Sequence, residues 1–148
     1  MKKLIISDLI KRLKYYVIIT FLSMTVNFSN KRIIYRCKSK TSKSGKKQYH
    51  FNVPNSPFRS GIINPDKEYF IYYIEETQEQ NKVVTNDLEE LKRFLPLLEN
   101  KIPFASKVAQ PGGQYRINLP KDIIKNNLLD PQKKVNYWIY FVEEINNN

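Results

Sequence analysis

The chain is poor in the side chains from which most site chemistry is built. Its 148 residues include one cysteine, Cys37, one histidine, His50, and four glycines. A lone cysteine excludes an internal disulfide and any CxxC metal site; Cys37 reads as a small strand residue. There is no Cys/His pairing, no HExxH, no phosphate-binding glycine loop and no acidic metal cluster. Long apolar runs are also missing. The stretch Tyr15 to Val26 has twelve residues, broken by Thr20, Ser23 and Thr25, against about 20 for a membrane-spanning helix. The expectation is a protein that is not an enzyme and takes no metal and no cofactor.

What the chain does have is positive charge and aromatic bulk. The formal net charge is +11, with 41% hydrophobic and 13% aromatic residues. Such content supports a packed core rather than disorder. The charge points to a polyanionic partner, nucleic acid or an anionic membrane. It is unevenly spread: +4 over residues 1–30, +6 over 31–76, −2 over 77–100 and +3 over 101–148.

Residues 1–30 stand apart. Lys2, Lys3, Lys11, Arg12 and Lys14 precede the apolar stretch. A signal peptide has the basic start and apolar run but lacks a good small-residue cleavage site. A membrane helix fits only if Lys11, Arg12 and Lys14 are drawn in. An amphipathic or core-packing helix also fits, since Ile6, Leu9, Ile10, Leu13, Tyr16 and Val17 recur at helical spacing. Translation from Met24 is a further alternative. An appended helix or start-site extension is favoured over export.

The most informative feature is an internal repeat. Gln48-Tyr49-His50-Phe51-Asn52-Val53-Pro54 returns as Gln114-Tyr115-Arg116-Ile117-Asn118-Leu119-Pro120, an offset of 66 that persists at Pro65/Pro131 and Lys67/Lys133. The offset becomes 68 at Ile71-Tyr72 against Ile139-Tyr140 and Glu75-Glu76 against Glu143-Glu144. Each copy reads as one supersecondary unit, and two in one chain imply an approximate twofold, a covalent version of a homodimer.

Both copies predict the same order of elements. A first strand lies near Ile33–Lys40 and Phe104–Ala109, then a turn at Ser44-Gly45 or Pro111-Gly112-Gly113. The second strand alternates, with Tyr49, Phe51 and Val53, or Tyr115, Ile117 and Leu119, on one face. Proline ends it, having no amide to donate. A short helix follows, Lys121 to Leu129 in the second copy, with Ile124 and Leu128 one turn apart on the same side; Phe58 and Ile62 occupy the matching places in the first, with Asn55 and Ser56 as caps and Pro57 in the first turn. After an Asn64-Pro65-Asp66 or Asp130-Pro131-Gln132 turn, the last strand is apolar on both faces, Tyr69 to Ile74 and Tyr137 to Val142, as in a strand buried on both sides. Glu75-Glu76 and Glu143-Glu144 at the strand ends read as solvated. Between the copies, Asn86 and Glu89 at capping-box spacing precede Leu88, Leu91, Leu95 and Leu98, a helical connector that Pro96 must end or kink.

The unit of strand, turn, strand ending in proline, short helix, proline turn and strand resembles the AbrB/SpoVT-like swapped-hairpin family, which includes MazE-type antitoxin DNA-binding domains. Gly113 to Ile124 resembles the centre of the family pattern and Leu129 to Val135 its turn. The proline-to-proline spacing is eleven in both copies, and the two cover about 90 of the 148 residues. Asp66 and Gln132 stand where the family usually has a turn glycine. The unit is also similar to double-psi and other cradle-loop barrels, so fold likeness alone does not fix function. The resemblance implies a mostly β fold with short helices (α+β): tandem β-β-α-β repeats in a pseudo-twofold swapped-hairpin barrel, with residues 1–30 as an N-terminal extension, 31–76 and 103–148 as the repeats and 77–102 as the helical linker.

Function follows from the basic first copy. Six of the twelve residues from Arg36 to Lys47 are basic: Arg36, Lys38 and Lys40 alternate along the strand, and Lys43, Lys46 and Lys47 follow in the turn, with Ser39, Thr41, Ser42 and Ser44 as small phosphate donors among them. Lys107, Arg116 and Lys121 are the second copy's cations. Gln48, Asn52, Gln114 and Asn118 carry amides suited to adenine edges. In the family the first hairpin approaches DNA, so the resemblance implies the same positions. The expected function is binding to double-stranded DNA at an imperfectly palindromic or asymmetric site, as a transcriptional regulator or antitoxin-like module in the cytoplasm, nucleoid-associated, with further self-association or a toxin-like protein as possible partners. The alternative is a non-enzymatic adaptor that binds protein or attaches to a membrane through residues 1–30.

Overall fold

The structure, a computed structural model, describes residues 30–77 and 85–145. The expected N-terminal helix lies outside the described residues. Arg32–Glu143 form one compact unit. Outside it, the Ile145 amide donates to the Asn30 carbonyl at 2.6 Å.

The described chain is mostly β with a few short helices: six antiparallel strands in a curled half-barrel. The strands are β1 (Lys31–Lys43), β2 (Tyr49–Val53), β3 (Tyr69–Glu75), β4 (Phe104–Ser106), β5 (Tyr115–Asn118) and β6 (Asn136–Glu144). Their order in the sheet is β4-β3-β6-β1-β2-β5. β4 is shorter than the expected Phe104–Ala109, but Ala109 still bridges to Arg116, each amide donating to the other's carbonyl at 2.8 Å. Among the described residues no helix is long and apolar enough to cross a membrane.

Period-two alternation places the core. Phe51, Val53, Ile117 and Leu119 are buried inside the curl with Ile71, Ile139 and Phe141. The Phe51 ring lies 5.7 Å from that of Tyr137 and 6.5 Å from that of Tyr73. β3 and β6 are apolar on both faces because both faces are covered. Tyr72, Trp138, Tyr140 and Val142 are buried but belong to the outer side, where the connector packs.

That connector is α2 (Leu88–Leu91), a 3₁₀ turn (Lys92–Phe94) and α3 (Leu95–Leu98). Pro96 sits in the first turn of α3, where its missing N–H does least harm, and the helix breaks before it. The N-cap is Asp87, which accepts from the Glu89 amide at 2.9 Å. Asn86, the expected cap, instead accepts from the Arg36 amide at 3.4 Å. Leu91, Phe94 and Leu98 are fully buried, with the Phe94 ring 5.8 Å from Tyr140. At about 1.5–3 kcal/mol per fully buried apolar side chain, these three contribute on the order of 5–9 kcal/mol.

The repeat helices are shorter than the spacing predicts. α1 is Ser56–Arg59 and α4 is Lys121–Lys125. Asn55 holds the N-cap place of α1 without a side-chain bond. After each helix one residue takes a left-handed conformation, Gly61 at φ 79° and Asn127 at φ 57°, which are the two residue types that adopt it most readily. That reversal changes which residue turns inward. Ile62 and Leu128 are exposed, at 42% and 47%. Ile63, Leu129 and Ile123 are buried instead. Phe58 is half-buried and stacks on Tyr115, 3.6 Å between centroids.

The strand-end glutamates are not simply solvated. Glu143 accepts from Arg32 and from Lys67, the latter at 2.7 Å, and Glu75 pairs with Lys133 at 2.9 Å. Glu76 accepts from Lys38 and from Asn136. Lys133 holds the Glu75 carboxyl below its usual range. Burial pushes Glu143 up, but Lys67 and Arg32 overcome it and its pKa is lowered.

Candidate nucleic-acid interface

β1 runs past the barrel residues into a hairpin with β2, paired at Thr41↔Phe51, Ser42↔His50 and Lys43↔Tyr49. The turn closes with the Ser44 amide donating to the Gln48 carbonyl at 2.8 Å. Gly45 has φ 80°, a conformation that a Cβ disfavours. Lys40, Lys43, Lys46, Lys47 and Gln48 are all exposed on this hairpin. Lys43 Nζ lies 6.0 Å from the Tyr49 ring centre. The hydroxyls between the lysines are largely engaged within the protein. Thr41 Oγ1 donates to the Pro131 carbonyl at 2.9 Å, Ser42 Oγ accepts from Asn52 Nδ2 at 3.4 Å, Ser44 Oγ meets His50 Nδ1 at 3.2 Å, and Ser39 is buried.

β2 pairs with β5 in the register His50↔Asn118, Phe51↔Ile117, Asn52↔Arg116 and Val53↔Tyr115. With Phe51 and Ile117 inward, the opposite face carries His50, Asn52, Arg116 and Asn118. Arg116 Nε and Asn118 Oδ1 are enclosed without a hydrogen-bond partner. Burial, and then the Arg116 charge, lower the His50 pKa, which favours the neutral imidazole. His50 had no place among the DNA-contacting candidates, yet the alternation already put it on the face of Gln48 and Asn52.

Because the pairing is antiparallel, the two hairpin turns lie at opposite ends of this ribbon. At about 3.4 Å per residue, Tyr49 to Val53 spans about 14 Å. The lysine-bearing turn and Gln48 stand at one end. Leu119 N donates to Tyr49 O at 2.8 Å, so the chain enters α4, and exposed Lys121, at that same end. Gln114 and Lys107, both exposed, belong to the other end, where the turn Pro111–Gly113 has no cation.

Arg36 does not join them, which corrects its assignment to the basic face. It is 4% exposed, with its guanidinium carbon 3.4 Å from the Trp138 ring centre and 4.2 Å from that of Phe94. Its Nε donates to Tyr140 Oη at 3.0 Å. The strand alternation was right, but the connector covers this part of the face. Lys38 is exposed, bonded to Glu76 Oε1 at 3.2 Å and 5.5 Å from the Trp138 ring centre.

Among the described residues no group of three or more His, Cys, Asp or Glu side chains is placed to hold a metal. No family model, no curated protein and no solved structure matches the chain.

Proposed function

We propose that the chain is a DNA-binding protein, a transcriptional regulator or antitoxin-like module built as a single-chain pseudo-dimer of swapped hairpins. The observation that carries the binding is the exposed lysine-bearing β1–β2 hairpin beside a ribbon with a polar face. Clustered cations release counterions from a phosphate backbone, and the ribbon's amides and guanidinium have the chemistry to read base edges.

The strand order supports the pseudo-dimer. Exchanging β1, β2 and β3 with β4, β5 and β6 reproduces the same neighbour pairs, with the Ala109–Arg116 bridge as the β4–β5 contact. Phe51 faces Ile117, 66 residues on, and Tyr72 faces Tyr140, 68 residues on, which are the offsets of the repeat. An approximate twofold passing through both pairs accounts for this. Reciprocal ion pairs, Lys67 to Glu143 and Lys133 to Glu75, join each copy to the other.

Selection from a random DNA pool by the full chain tests the proposal. An imperfectly palindromic or asymmetric motif is expected, because the two copies differ on the polar face, His50 in one standing where the other has Arg116, while the lysines add affinity through phosphate. Failure to retain any duplex above a shuffled competitor at physiological salt overturns it.

A further inference from the structure

The two glutamates that end the last repeat strands are seated differently, and the difference coincides with a cleft. Both oxygens of Glu143 are taken. Oε1 accepts from Arg32, whose Nε lies at 3.1 Å, and Oε2 from Lys67 Nζ at 2.7 Å. On Glu75, Oε1 takes both Lys133 Nζ at 2.9 Å and Thr77 Oγ1 at 3.1 Å. Among the described residues Oε2 of Glu75 has no hydrogen-bond partner. β3 pairs with β4 from Tyr69↔Ser106 to Ile71↔Phe104, and beyond that pairing Asn100 lines the same cleft as Glu75, with no arginine among the lining residues. Asparagine is too short to repeat the arginine's reach. Here the surface opens into a cleft of about 350 Å³, lined by residues that include Glu75, Asn100, Ile102, Asp130 and Tyr137.

We propose that this cleft binds a guanidinium group, presented by an arginine side chain of a partner polypeptide. The molecule supplies its own template in Arg32 on the equivalent carboxylate, and a planar guanidinium suits a carboxylate better than an ammonium does. Charge fits as well. Asp130 lines the cleft where the first copy has Asn64, so this half offers a second acid. Lys101 and Lys133 balance the two acids. One added cation therefore gives the same local charge that Glu143 already carries with Arg32 and Lys67. Tyr73 and Tyr137 in the wall add ring faces that attract a guanidinium. The volume is at the low end of small-molecule pockets, about 300–1,000 Å³. The rim argues for a peptide rather than a free guanidinium compound. Ile102 is 67% exposed and Leu128 47%, and only residues flanking an arginine can cover them.

This proposal is independent of DNA binding, and its test uses the full chain. Acetyl-Leu-Arg-Leu-amide is titrated while the Ile102 methyl and tyrosine ring resonances are followed, in parallel with the Leu-Gln-Leu peptide and arginine amide. The arginine peptide should give saturable shifts at these residues, and the glutamine peptide should bind about tenfold or more weakly, the loss of one charge-assisted pair. Glu75→Gln should weaken the arginine peptide similarly, while Glu143→Gln should not. Asn100→Arg should fill the cleft from within, abolish peptide binding and raise Tm by about 1–4 °C, as one added surface ion pair does. Equal binding of the arginine and glutamine peptides, no saturable shift, or full binding by both Glu75→Gln and Asn100→Arg overturns the proposal. Arginine amide binding as tightly as the peptide overturns the polypeptide as its source.

Discussion

Arg36 offers the sharpest separation between a structural and a DNA-contacting cation. It is enclosed by Phe94, Trp138 and Tyr140 on the outer face of the sheet. Arg36→Ala removes a desolvated cation–π contact of about 2 kcal/mol and a hydrogen bond to Tyr140 of about 1 kcal/mol. It also leaves the ring faces without the arginine stem. The expected loss is about 3–4 kcal/mol, a large share of a domain's typical 5–15 kcal/mol. In urea, with m of about 1.5–2 kcal/mol/M, the midpoint should fall by about 2 M. Arg36→Met, which keeps the stem, should lose less. For the fraction that remains folded, DNA affinity and its salt slope should match the unaltered chain. An unchanged midpoint together with a shallower salt slope would mean that Arg36 reaches phosphate and that the connector does not cover it, and the reasoning would fail.

Two further outcomes follow from the same packing. Burial pushes the Cys37 thiol up to about 12, against a weaker downward pull from Arg36; a thiol reagent at pH 8 should label the protein only after urea unfolds it, and rapid labelling of the native chain would refute the burial. The carboxyls of Glu75 and Glu143 lie below their usual value of 4.5. A depressed folded pKa contributes stability that is complete above the unfolded value and is lost as pH falls through the folded one. Urea midpoints should therefore decline as pH drops below about 4.5, and Glu75→Gln with Glu143→Gln should flatten that decline; identical pH profiles would count against both ion pairs.

Local pattern carried the β elements furthest. The alternation at Tyr49, Phe51 and Val53, and again at Tyr115, Ile117 and Leu119, correctly assigned the inward face, because a strand's periodicity is fixed by its own backbone. The doubly apolar strands at 69–74 and 137–142 were likewise legible as buried on both sides. The expected helix from Lys121 to Leu129 ends at Lys125, and its first-copy counterpart at Arg59, so Leu128 and Ile62 lie beyond the helices. Helices of four and five residues are too short for spacing to govern, and the left-handed residues Gly61 and Asn127 re-aim the chain. Choosing Asn86 as the connector cap failed by one residue, since Asn86 and Asp87 are both competent caps.

The candidate interface was only partly legible. Lys40, Lys43, Lys46 and Lys47 are exposed on the β1–β2 hairpin, which the connector does not cover. Arg36 shares their alternation, but a segment about 50 residues further along the chain decides its fate. The seats of Glu75 and Glu143 depend on Lys133 and on Lys67 with Arg32, residues remote in sequence. No pattern within a single strand reveals such pairs; the repeat offset does, once each lysine is matched to the glutamate of the opposite copy.

The lysine-bearing hairpin is best tested by the dependence of DNA affinity on salt. Each phosphate contact contributes about −0.9 to the slope of log K against log salt. Replacing Lys40, Lys43, Lys46 and Lys47 together by alanine should make that slope shallower by about 3–4 units, while replacing Lys107 alone should change it by at most about 1. Equal slopes for the fourfold variant and the unaltered chain, or a slope near zero for both, would contradict the account.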